Sequence, residues 1–234
     1  MPKSYGQACA IARGLEVLGG RWTLLIVREL LIGPRRFTDL EANLPGIPSS
    51  LLGERLRDLE AAGLVQRRRL PPPAASTVYE PTDAGRALEE VVLAMGRWAT
   101  LFGRAVAPED TSRPEWQRYA LKWAFRPQAA GRVHRTFELR FGEHVVAAEV
   151  RRGKLRLSQG PAVAPDLVVT TEFRTFMELA SGGLALADAR RRGLITLEGE
   201  GSHDPELLFE LFSVRPMQVP VELTTPSDLS LARG

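Results

Sequence analysis

Arginines dominate the chemistry available in the first half of this chain. Arg35 and Arg36 follow Gly33-Pro34, and Arg67, Arg68 and Arg69 run consecutively just before three prolines. Arg55 and Arg57 share a leucine-spaced stretch with Ser49, Ser50 and Glu54. Guanidinium groups neutralise phosphates and match the paired acceptors of guanine, serine hydroxyls serve phosphate or base edges, and a glutamate accepts from the cytosine amino group. Together these residue types point to double-stranded DNA as a partner. Arg35, Arg36, Arg67, Arg68 and Arg69 would meet the backbone, and Ser49, Ser50, Glu54, Arg55 and Arg57 would lie nearer the bases. A plainer reading stays open: Glu54 and Arg57 equally suit a solvated helix face with local ion pairs, and along a strand alternate arginines point to opposite sides.

Other chemistry has less behind it. His134, His144 and His203 show no metal-ligand spacing, and neither a glycine-rich phosphate loop nor a nucleophile elbow occurs. The sequence predicts no catalytic site, no metal and no cofactor. Cys9 is the single cysteine, which precludes an intrachain disulfide or a thiolate cage and fits a reducing compartment. With only Lys3 and Arg13 near it in sequence, Cys9 is expected to be a plain, partly buried residue. A thiol whose oxidation moves the first helix or links two subunits is the alternative, and makes Cys9 a redox candidate.

The 234 residues suit two domains, each large enough for its own core. Hydrophobic content of 44% and charged content of 25% are ordinary for a globular protein. The most apolar run, Leu24 to Val27, stops at Arg28-Glu29, far short of a membrane span, and the N-terminus lacks the apolar stretch of a secretory signal. A cytoplasmic protein without a membrane partner is expected. Residues 1–107 hold 14 Lys and Arg against 11 Asp and Glu, whereas residues 108–234 hold 17 of each, so the basic excess lies in the first half.

The elements that must position the arginines read as follows. Ile11, Leu15 and Leu18 recur at helical spacing and should face inward, with Gly19-Gly20 ending that helix. A second helix runs from about Trp22 to Leu31, and a third covers Phe37 to Leu44 with Thr38 as its cap. A fourth begins around Pro48-Ser49-Ser50 and buries Leu52, Leu56 and Leu59. Strands Leu64–Leu70 and Thr77–Glu80 flank a loop too long for a tight hairpin. Thr82 then caps a long helix whose stripe of Leu88, Val91, Val92, Met95, Trp98, Ala99 and Phe102 calls for a covering surface. The same helix of a second subunit is the commonest such surface, and packing within its own domain is the alternative.

Residues 103–114, with Pro108 and Pro114, read as a linker, and an aromatic helix with Trp116, Tyr119 and Trp123 on one face follows. The expected domains are thus 1–107, a joining segment 108–132, and 133–234. In the last, Thr136–Phe141, Glu143–Arg151 and Lys154–Ser158 alternate as an antiparallel meander. Strand Leu167–Thr171 leads to a helix with Phe173, Phe176 and Met177. A short helix to Arg192, strand Leu194–Leu197 and a helix from Pro205 to Phe212 complete an α+β unit with a largely antiparallel sheet. The tail after Ser213 holds Pro216, Pro220 and Pro226 and is expected to be extended.

The segment from Cys9 to about Phe102 resembles the HxlR family of bacterial winged helix-turn-helix transcriptional regulators. The resemblance rests on the cysteine before the first helix, on Gly19-Gly20-Arg21-Trp22-Thr23-Leu24-Leu25-Ile26, on Gly33-Pro34-Arg35-Arg36-Phe37, on Leu52 through Arg57 to Gly63-Leu64-Val65, and on Tyr79, Thr82 and Gly85. It implies a mainly α, winged helix-turn-helix N-terminal domain, a homodimer joined by long terminal helices, recognition helices in successive major grooves and wings on the flanking backbone. Leu88, Val91, Val92, Met95, Trp98 and Phe102 are then the candidate interface. Pro48, Ser50, Gly53 and Glu54 depart from the usual family pattern, so no operator sequence carries over. A cysteine at this position senses oxidants in some relatives.

The segment from Thr136 to Phe212 is similar to the sterol carrier protein type 2 fold, through the Gly142 and Gly153 turns, Pro165-Asp166-Leu167-Val168-Val169-Thr170, Leu179-Ala180-Ser181-Gly182 and Gly193 to Gly199. That resemblance implies an apolar small-molecule or lipid ligand between sheet and helices, with Phe137, Leu139, Phe176, Met177, Leu208, Leu211 and Phe212 as candidate contacts. The same residues equally fill a core. The expected protein is a homodimeric DNA-binding regulator with an appended ligand-sensing domain. The alternative is a lipid carrier that uses its winged helix for dimerisation or docking.

Overall fold

The computed structural model describes residues 4–73, 75–102 and 113–214, without the side chains of residues 202 and 203. Residues 103–112 of the linker expected over 103–114, and the expected extended tail beyond 214, lie outside the described residues, while Pro114 starts a helix instead of belonging to a linker. The first domain is built from α1 (Ala10–Leu18), α2 (Thr23–Ile32), α3 (Phe37–Asn43) and α4 (Ser49–Ala61), then the antiparallel pair β1 (Val65–Arg69) and β2 (Thr77–Pro81), then α5 (Asp83–Ala87) and α6 (Glu89–Phe102). Its core joins Ile26, Val27 and Leu30 of α2 to Leu40 and Leu44, to Leu52, Leu56 and Leu59 of α4, and to Val65 and Tyr79 of the strands. Burying leucines on one stripe of α4 fixes which way its other side faces.

Three local expectations are corrected. Ile11 and Leu15 do not point inward: they are 75% and 49% exposed, and only Ala12 of α1 is buried. Arg36, not Thr38, occupies the cap of α3, where its backbone N–H donates to Asp39 Oδ2 at 3.0 Å and satisfies one of the free amides of the first turn. Thr82 does cap a helix, accepting from the Gly85 N–H at 3.1 Å, but that helix stops at Ala87 and α6 starts anew after Leu88.

The second domain opens with α7 (Pro114–Ala124), followed by β3 (His134–Phe141), β4 (His144–Arg151), β5 (Lys154–Gln159), β6 (Leu167–Thr171), α8 (Phe173–Ser181), α9 (Leu186–Arg191), β7 (Ile195–Glu198), a 3-10 turn and α10 (Glu206–Leu211). The strand order β5-β4-β3-β6-β7 contains the expected meander, and its one parallel pairing, β3 with β6, makes the sheet mixed. One face carries Phe137, Leu139, Phe141, Val146, Ala148 and Val150 into a core closed by α7, α8 and α10. No helix among the described residues is long and apolar enough to cross a membrane.

Candidate nucleic-acid interface

The turn after α3 brings α4 across the domain with Leu52, Leu56 and Leu59 sunk in the core. Ser49, Ser50, Glu54 and Arg57 lie on the exposed side of the helix. The Ser49 hydroxyl donates to Glu41 on α3, which fixes the start of α4 against its neighbour. Arg57 forms no ion pair among the described residues and leaves a free guanidinium on that side.

Arg55 lies between the two sides of α4 and is partly enclosed. Its Nη1 donates to Glu54 at 2.8 Å and to Asp58 at 3.0 Å, and its Nε reaches the Arg21 carbonyl at 3.4 Å. The guanidinium lies over the Gly20 turn between α1 and α2, where a Cβ at Gly20 would come within 2.8 Å of it. Arg55 ties α4 to the first turn of the domain through Nε and Nη1, and its exposed pairs with Glu54 and Asp58 are of the same weak surface kind as those of the wing.

Beside α4 the wing is widened by Arg35, whose backbone exchanges two hydrogen bonds with Tyr79, at 3.0 and 2.7 Å. Arg35 therefore serves as a third, single-residue strand, and its partly enclosed side chain has a buried Nε without a partner. Arg67 pairs with Glu60 at 2.8 Å and lies 5.3 Å above the Tyr79 ring, while Arg68 pairs with Glu80 at 2.8 Å. The Glu60 hydrogen bond raises the Arg67 pKa, and the Arg68 hydrogen bond lowers that of Glu80. Such surface pairs are worth only about 0–1 kcal/mol, so both arginines remain exchangeable for a phosphate. Arg36 and Arg69 are exposed and form no ion pair among the described residues.

Behind this surface, a buried polar cluster joins the two domains. Glu29 of α2 is 1% exposed and accepts from Arg28 Nη2 at 2.9 Å, Asn43 Nδ2 at 3.0 Å and Trp116 Nε1 at 2.7 Å. The Arg28 guanidinium lies 4.2 Å over the Trp116 ring, and Arg113 donates to Asn43 Oδ1. Burial lowers the Arg28 pKa, with the adjoining Glu29 acting in the opposite direction. Further along α7, Lys122 meets Glu89 at 2.6 Å, Arg97 Nε donates to the Trp123 carbonyl at 2.8 Å, and a Cβ at Gly96 would strike the Trp123 ring at 2.6 Å. Sequence reasoning missed this cluster. Its one visible signal is the charged pair Arg28-Glu29 interrupting an apolar helix.

The stripe expected on the long helix divides. Leu88 and Val92 pack onto the first domain's core, whereas Val91, Met95, Trp98 and Phe102 are 43%, 50%, 61% and 64% exposed. Cys9 is exposed, not partly buried, at the cap of α1. In the second domain Phe137, Leu139, Phe176, Leu208, Leu211 and Phe212 are fully enclosed and pack on one another, with Met177 at their margin. An open cleft of about 840 Å³ lies nearby, lined by Leu179, Leu184, Leu186 and Phe209 with Arg126 and Glu210.

A model of the HxlR-like helix-turn-helix family matches residues 17–107. YvaP of Bacillus subtilis (strain 168), an uncharacterised HTH-type transcriptional regulator, is 39% identical over 88 residues covering 38% of this chain and 82% of YvaP. The chain belongs to the HxlR-like helix-turn-helix family. YodB of the same organism, also an HTH-type transcriptional regulator, is 38% identical over 96 residues, 41% of this chain and 83% of YodB. The solved reduced form of YodB covers 44% of this chain and 100% of its own, at 34% identity and a TM-score of 0.37. In this HxlR-like chain α2 to α6 fall inside the matched segment. The second domain lies outside it, so the comparisons support a helix-turn-helix regulator's N-terminal half and leave the sterol-carrier resemblance where the sequence put it.

Proposed function

We propose that the protein is a cytoplasmic DNA-binding transcriptional regulator that acts as a homodimer on a two-fold symmetric operator and responds to an apolar ligand in its second domain. One observation carries the reading: in a chain of this family, the side of α4 bearing Ser49, Ser50, Glu54 and Arg57 stands in solvent, and Arg36 at the cap of α3 and Arg69 of the wing form no ion pair among the described residues. A helix backed by leucines and flanked by cations is what a major groove and its phosphates accommodate. The exposed Val91, Met95, Trp98 and Phe102, with Ile11 and Leu15 on α1, support dimerisation, because apolar side chains of this size gain by being covered. The open cleft beside Leu179 and Phe209 supports the ligand, since it offers space that the packed Phe176 and Phe212 region does not.

The test is footprinting of the purified full chain on the region upstream of its own gene. Protection of two half-sites with centres about 34–36 Å apart, one helical turn, is expected. No protection anywhere on that region, together with no retardation of the duplex, overturns the reading. Lipid extracted from the purified protein should shift DNA affinity when added back, and equal affinity in both states removes the ligand from the proposal.

A further inference from the structure

The outer face of the second domain's sheet gathers basic side chains at one end. Register places His134 directly opposite Arg151, and Arg151 directly opposite Lys154, so the three stand in a row across β3, β4 and β5. Arg156 follows on the same face one row on, and Arg132 adjoins the turn, where the Arg152 N–H donates to the Val133 carbonyl at 3.2 Å. All six of these residues, Arg152 included, are exposed. Glu149 is the counter-charge within this face, 3.8 Å from Arg151 and directly opposite Arg156 in the register. Toward the other end of the face Arg140 is held by Glu138, which also accepts from the Ala162 N–H at 2.8 Å.

A cross-strand ion pair accounts for Arg156 opposite Glu149, but local stability does not explain Arg151 opposite Lys154 or arginine at position 152. Like charges directly opposite one another weaken a strand pair. The turn joining β4 to β5 holds Arg152 at φ +49° and Gly153 at +76°, a geometry that Asn or Gly fits better than arginine at the first position. Residues that break a local rule without a local gain mark a surface with another use.

We propose that this end of the sheet is a second DNA-backbone surface, holding phosphates of the duplex outside the stretch contacted by the winged helix. The proposal rests on the reading of the protein as a DNA-binding regulator. Arginine and lysine together suit phosphate oxygens, and the patch's own residues include no apolar anchor of the kind a lipid surface engages. Helix α7 is locked to the first domain through Glu29 and Trp116 while its Leu121 and Ala124 sit in the second domain's core. The patch is thus tethered to the winged helix through α7, and after the winged helix docks, phosphates it can reach are met at a high effective concentration.

The test uses the full chain with 60-bp duplexes tiled over the region upstream of its gene. The tile bound most tightly is also shortened to the winged-helix footprint, about 20 bp. The triple variant Arg151→Gln, Lys154→Gln, Arg156→Gln is compared with the wild type by fluorescence anisotropy across a potassium chloride series. On the 60-bp duplex the variant should bind at least about tenfold more weakly, with the slope of log affinity against log salt smaller by about 2–3 for each protomer whose patch is engaged, and on the 20-bp duplex the two should agree. Agreement on the 60-bp duplex as well overturns the proposal and leaves the regulator reading standing. Failure of the wild type to bind any tile overturns both. Binding of wild type but not variant to phosphatidylserine vesicles, with equal affinity for the long duplex, assigns the patch to a membrane and also overturns it.

Discussion

Helices α4 and α6 carry apolar stripes of the same kind, yet one is buried and the other is bare. Leu52, Leu56 and Leu59 are almost completely enclosed, whereas Val91, Met95, Trp98 and Phe102 stand in solvent. Periodicity announces that a face will be covered and is silent about what covers it. On α4 the cover is supplied by α2 and α3 of the same domain. On α6 one flank is used internally: Val92 packs on the first domain's core with Leu88 just before the helix, and Gly96 and Arg97 meet α7. The outer flank is left for the proposed partner subunit.

The largest effect expected is on the buried side. Leu56→Ala should lower unfolding free energy by about 2–5 kcal/mol in urea titrations, by the same amount at every protein concentration, because both the burial and the cavity belong to one chain. A negligible loss would break the contrast. Glu29→Gln comes next, at about 1–3 kcal/mol, since it weakens buried hydrogen bonds from Arg28, Asn43 and Trp116 that keep α7 beside α2 and α6. Differential scanning calorimetry would read it, and an unchanged transition would show that α7 is held by apolar packing alone. Trp98→Glu sharpens the comparison from the bare side. The dimer dissociation constant by analytical ultracentrifugation should rise by roughly tenfold or more, while the stability of the separated chain stays put. A variant that unfolds instead would show Trp98 to be internal. The smallest effect is Arg57→Ala, with unchanged melting and a salt slope of DNA binding reduced by about 1 per protomer of the proposed dimer. Arg55→Ala should do the reverse, lowering melting by loss of its contacts to Arg21, Glu54 and Asp58.

The order and type of nearly every element were legible in the sequence, because leucine spacing, glycine stops and strand alternation are local signals. The exposed side of α4 was legible for the same reason: once Leu52, Leu56 and Leu59 are assigned inward, Ser50, Glu54 and Arg57 have to face out. Arg55 was not. It lies between the two faces, and its fate depended on a turn 34 residues away in sequence. Nor was Arg35, whose pairing with Tyr79 joins segments that no local pattern connects. The exposure of Ile11 and Leu15 was hidden because their spacing matches that of a buried face. The cationic row on the second domain was hidden by an even balance of charge in that half, which conceals clustering until strand register aligns Arg151 with Lys154.

The sequence alone determined the order and type of nearly every element, the leucine backing of α4 and the family, since each follows from short-range periodicity or from an ordered series of motifs. Only the tertiary structure decided which arginines stay free and which are spent on carboxylates and carbonyls, which apolar stripe stays open, and that Glu29 and Trp116 bind the domains together. Those outcomes depend on side chains brought within hydrogen-bonding distance across long stretches of chain, and a distance of that kind is a property of the folded arrangement.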